Sequence, residues 1–84
     1  MERLTSKNGD EIIVAEADTQ EALRRLAAFE DVYAELMESM AAIPPELENL
    51  KAGGKEKTVR YRELFGQKMM NHHIIALLKR HGIC

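Results

Sequence analysis

The residues best suited to chemistry form one short run, Gly53-Gly54-Lys55-Glu56-Lys57-Thr58-Val59-Arg60-Tyr61-Arg62. Four cations, a hydroxyl and a phenol follow a glycine pair where a helix is expected to start. The first N–H groups of a helix have no intrahelical partner and that end of the dipole is positive, so phosphate is favoured there. Lys55, Lys57, Thr58, Arg60, Tyr61 and Arg62 are therefore the candidate ligand-binding residues. The bases would pair with phosphate, and Tyr61 would stack or hydrogen-bond. On helical geometry Lys57, Arg60 and Lys68 fall on one side, near Tyr61. The run is not a P-loop, because the glycine spacing and the closing Lys-Ser/Thr pair are missing. A competing reading makes it a solvated basic face that complements an acidic helix.

Other chemistry finds less material. His72 and His73 are adjacent and point different ways on a helix, and no histidine has a histidine partner four residues on, so no metal site is expected. The one cysteine, Cys84, rules out an intramolecular disulfide and has no held base to make it a nucleophile. No Ser/His/Asp set and no nucleophile elbow are recognisable. The chain reads as a protein that binds rather than catalyses, with no cofactor.

Eighty-four residues are enough for one domain with a thin core. Chains of this size often gain stability by oligomerising. No signal peptide opens the sequence and no apolar run suits a membrane span, so a cytoplasmic setting is expected. The absence of tryptophan and the low aromatic content weigh against a base-stacking platform. Net charge is only −2, but residues 1–50 hold four Lys/Arg and twelve Asp/Glu (−8), whereas residues 51–84 hold eight and two (+6). That split points either to an electrostatic partner for one half or to neutralisation between the halves.

The elements that must position these groups follow from turn signals and periodicity. Asn8-Gly9 predicts a hairpin turn between Arg3-Leu4-Thr5-Ser6 and Glu11-Ile12-Ile13-Val14, with Leu4, Ile12 and Val14 on one face. Asp18 predicts an N-cap, with Glu21 completing a capping box, for a helix starting near Thr19. Ala22, Leu26, Phe29, Tyr33, Leu36, Met40 and Ile43 alternate spacings of four and three, an a/d seam suited to a helical hairpin or an intersubunit coiled coil. Leu26, Phe29, Tyr33, Leu36, Met40 and Ile43 are the candidate oligomer interface. Glu30, Asp31, Glu35 and Glu38 line the opposite face. Pro44 predicts the end of this helix near residue 42, and Pro44-Pro45 the start of a short second helix ending at Gly53-Gly54. A third helix is expected from Lys55 or Glu56 to about Met70. Asn71 either caps a fourth helix or lies inside one continuous rod, and Gly82 ends the chain's helical part.

Two stretches carry a resemblance. Leu26-Ala27-Ala28-Phe29-Glu30-Asp31 looks like a segment of the Arg-Leu-Ala-Ala-Tyr-Glu-Asp type found in short proteins of bacterial prophages and mobile elements. Gly54-Lys55-Glu56-Lys57-Thr58-Val59, with Leu64 and Ile75-Ala76, is similar to the loop-to-helix segment of the helical-hairpin proteins that phages use against CBASS and Thoeris immunity. The match departs at residues 44–53, a longer connection, and at Met70-Asn71-His72, which replaces a Trp-Ala-Asn segment. The resemblance implies an oligomeric sponge for a cyclic nucleotide in the bacterial cytoplasm; the acidic Glu30, Asp31, Glu35 and Glu38 would instead suit an inhibitor that binds a host defence protein by mimicking nucleic acid.

The expected fold is mainly α: a hairpin or bundle of three to four helices with a small N-terminal β-hairpin, self-associating. The expected domain is residues 1–84, divided as 1–17, 18–43, 44–53 and 54–82. The expected function is a phage-type accessory protein that counteracts host immunity. The alternatives are a small DNA-binding regulator, read from a helix, a break at Asn71 and a second helix, and a purely structural helical oligomer.

Overall fold

The computed structural model describes residues 1–84. Two antiparallel strands, β1 (Thr5–Asn8) and β2 (Glu11–Val14), are followed by a 3₁₀ turn (Glu16–Asp18) and two long helices, α1 (Thr19–Ala52) and α2 (Val59–Arg80). The fold is mainly helical with a small N-terminal hairpin. It has two helices where the sequence suggested three or four. The chain divides into two compact units, Met1–Tyr33 and Ala34–Cys84.

In the first unit the hairpin pairs Asn8 with Glu11, so the turn is Gly9-Asp10, one residue later than Asn8-Gly9 suggested. Gly9 has φ 65° and no other turn residue has positive φ. Glycine at the first central position alone is the II′ pattern, which matches the twist of a hairpin. Ile12, expected on a covered face, is 71% exposed. Asp18 lies in the 3₁₀ turn, its N–H donating to Ala15 O at 2.8 Å. Glu21 does not close a capping box. Its carboxylate accepts from Arg24 Nε at 2.9 Å and Nη2 at 2.6 Å, and from Arg25 Nε at 3.2 Å. Arg25 also donates to the backbone oxygen of Glu2, which holds the chain start to α1.

In the second unit, α1 continues through Pro44 and Pro45 to Ala52. The predicted stop near residue 42 and the separate short helix are thus both corrected. Each proline removes one backbone bond and crowds a carbonyl of the preceding turn, at ~3 kcal/mol in a helix interior. The offset comes from packing. Ile43 and Leu47 are each 6% exposed and form a core with Leu64, against which Leu50 and Tyr61 also pack. Burying one such side chain contributes about 1.5–3 kcal/mol. A helix that broke at Pro44 would scatter those side chains.

α1 ends at its glycines. Gly54 has φ 72°, its N–H donates to Lys51 O at 3.0 Å, and Lys55 N–H donates to Leu50 O at 2.8 Å. This pair of bonds is a Schellman closure, which satisfies the last carbonyls of a helix. Gly82, at φ 77°, ends α2 the same way through Gly82 N–H to Lys79 O and Ile83 N–H to Leu78 O, both 3.0 Å. Between the helices Thr58, not Lys55 or Glu56, starts α2. α2 then runs unbroken through Asn71, so it is the continuous-rod expectation that agrees with the structure.

Candidate functional site

Each residue of the basic run has a position, and most of the polar groups have work inside the chain. Thr58 is the N-cap of α2: its Oγ1 accepts from Tyr61 N–H at 3.2 Å and donates to Lys55 O at 2.7 Å. Its hydroxyl is used in closing the turn. Arg60 donates Nη2 to Glu46 Oε1 at 2.5 Å, across from α2 to α1. For Arg60, then, the complementary acidic helix is the partner. Tyr61 is half-buried against the Ile43, Leu47 and Leu64 core and stacks on Phe65, ring centroids 6.4 Å apart and planes 18° apart. Its ring is an extension of the core rather than an open platform. Lys55, Lys57 and Arg62 are exposed. Lys68, expected beside them, is half-buried instead at a small cavity next to Asn71 and His72.

The heptad seam divides. Leu36 and Ile43 are buried within the chain at 7% and 6%, and Met40 is half-buried. These positions serve the intrachain helical hairpin that the spacing allowed for. Leu26 and Phe29, on the same stripe, are 54% and 37% exposed, beside Leu23 at 54% and Val32 at 61%. No residue of the first unit is buried.

A polar triad was not singled out from the sequence. Asn71 is 2% exposed, the one buried polar side chain in the molecule. Its Nδ2 donates to Ser39 Oγ at 2.8 Å, and its Oδ1 accepts from Gln67 Nε2 at 2.8 Å. The available signal was an asparagine at helical spacing among Leu64, Ile75 and Leu78, where a single polar residue in an apolar seam fixes register.

Two cavities bear on the site. One, of about 390 Å³ and open to solvent, is lined by residues 1–5 with Ala22 and Arg25. The other, lined by Ser39, Ile43, Asn71 and neighbours, holds about 10 Å³, room for a water at most. Neither lies at the basic run. No group of three or more His, Cys, Asp or Glu side chains is placed to hold a metal ion. No helix is long and apolar enough to cross a membrane.

The clearest electrostatic feature is in the first unit. Hydrogen bonds from Arg24 and then Arg25 hold the Glu21 carboxyl down to about 2, from an ordinary 4.5. Arg24 is raised in return by the same bond to Glu21.

No family model, curated protein or solved structure matches this chain.

Proposed function

We propose that this chain is a non-enzymatic accessory protein that acts by binding, as a helical homo-oligomer. The observation that carries the reading is the apolar surface of the first unit. Leu26 and Phe29, one turn apart on the seam stripe of α1, stand 54% and 37% exposed in a unit that buries no residue. Contiguous exposed apolar side chains mark protein–protein contact, and a chain with so thin a core gains stability from it. The phage resemblance supplies the setting: antagonism of bacterial immunity in the host cytoplasm, by occluding a defence protein or holding a nucleotide signal.

Sedimentation equilibrium tests the assembly. The expected result is a mass above the 9.5 kDa of one chain, returning to one chain in Leu26→Asp. A monomer at every concentration overturns the reading.

Of the two modes, protein occlusion is favoured, because Thr58 and Arg60 are engaged inside the chain. The nucleotide mode retains one specific support, the exposed Lys55, Lys57 and Arg62 around the start of α2. Calorimetry against a panel of cyclic nucleotides separates them. Heat that disappears in Lys57→Ala and Arg62→Ala assigns the nucleotide mode, and silence assigns protein occlusion.

A further inference from the structure

The outward side of α2 carries ligand atoms that soft metal ions prefer. Leu64 and Asn71 are the buried residues of this helix, with Lys68 and Ile75 half-buried on the same side. By helical periodicity the opposite side carries Gly66, Met69, Met70, His73 and Leu77, all exposed. We propose that Met69, Met70 and His73 form a binding site for one soft monovalent metal ion of the Cu(I) or Ag(I) class.

Spacing brings the three together. His73 follows Met69 by four residues and Met70 by three. Residues so spaced are neighbours on a helix surface, with Cβ atoms about 5–6 Å apart. Long side chains on a helix lean back over the residues three and four positions before them. His73 therefore leans over both methionines. Methionine is unbranched with three rotatable bonds, so each sulfur can swing to an ion held under the imidazole.

The donor set selects the ion. Thioether sulfur is soft and favours Cu(I), and imidazole suits copper as well. No carboxylate is in the set, and magnesium, calcium and manganese bind through oxygen. Neutral ligands suit a single positive charge, and the next residues on this face in either direction, Gly66 and Leu77, are uncharged. A Cβ added at Gly66 would meet nothing within 4 Å, so the approach from that side is open.

The side chains are available. Met69 and Met70 are 44% and 59% exposed. No hydrogen bond or ion pair engages His73. His72 differs, because it lines the small cavity together with Lys68, whose cation lies on the turn that His72 leans over. His, Cys, Asp and Glu side chains alone make no metal cluster in this chain; the two methionines complete this one.

Ag(I), titrated as the nitrate into Cys84→Ser, tests the site. The substitution removes the one thiol, which is exposed and would compete for the ion. Native mass spectrometry should show one ion per chain. Carbon–proton NMR should show the ε-methyl signals of Met69 and Met70 moving together with the ring signals of His73. Met70→Leu and His73→Ala, both at exposed positions, should abolish binding with the helical circular dichroism intact, whereas His72→Ala should retain it. No retained ion, movement confined to Met1, Met37 or Met40, or undiminished binding in Met70→Leu overturns the site. Zn(II) displacing Ag(I) at equal concentration overturns the class of ion.

Discussion

Asn71 in the middle of α2 reaches across the helical hairpin to Ser39 on α1, its Nδ2 donating to Ser39 Oγ at 2.8 Å. Gln67, one turn earlier on α2, occupies the Asn71 oxygen at 2.8 Å. The pair lies beside the apolar core of Ile43, Leu47 and Leu64, and a displacement of either helix by one turn would leave a buried amide without a partner.

That penalty makes the first prediction. Ser39→Ala strands a buried donor and should cost ~1–3 kcal/mol in urea unfolding. Ser39→Ala with Asn71→Leu removes both polar partners and should recover most of the loss, because matched apolar replacement is close to neutral. A double variant no more stable than Ser39→Ala alone would mean that the bond does not couple the helices.

Pro45 offers a test of the continuous α1. It is exposed inside the helix, so alanine there restores an N–H and removes a clash without disturbing the core. Pro45→Ala should raise stability by ~1–3 kcal/mol, read as a higher midpoint in thermal unfolding. A lower midpoint would argue that the chain turns at the prolines.

Thr58→Ala removes the side-chain acceptor of Tyr61 N–H and the bond to Lys55 O. The expected cost is ~1 kcal/mol, the size of a lost N-cap. Thr58→Ser keeps the oxygen and should restore most of it. If Thr58 served a ligand instead, alanine would change ligand binding and leave the unfolding midpoint where it was.

Glu21 gives the pH dependence. Its carboxyl lies near 2 in the folded chain, against an ordinary 4.5. A depressed carboxyl stabilises above its unfolded value, and the contribution is lost as pH falls through the folded one. The loss from this residue should therefore run from about pH 4.5 down to about 2 and shrink in high salt, since the groups are exposed. NMR titration of the Glu21 side chain should place its midpoint near 2. Arg24→Ala should move it up, because Arg24 is the largest cause.

How much was legible in the sequence divides along a physical line. Local signals carried wherever the neighbouring backbone alone decides the outcome. A positive φ is needed at Gly54 and Gly82, and both end helices as glycine after a helical run implies. The start of α1 at Thr19 and the presence of a hairpin were legible in the same way, though the turn lies at Gly9-Asp10 and Glu21 turns to Arg24 instead of closing a capping box. Pro44 and Asn71 went differently, because each pits a local cost against burial contributed by residues distant in sequence. Pro44 predicts a helix end only until Ile43 and Leu47 find Leu64. Asn71 suits a cap as well as a helix interior until Ser39 stands opposite. The basic run shows the same limit. Composition established that Lys55, Lys57, Arg60 and Arg62 cluster at a glycine-led helix start, but only the tertiary structure decided that Arg60 turns to Glu46 and Thr58 to its own helix. A helix start specifies its own cap within a few residues, whereas the direction a charged side chain faces is chosen by whichever opposite charge the fold brings within reach.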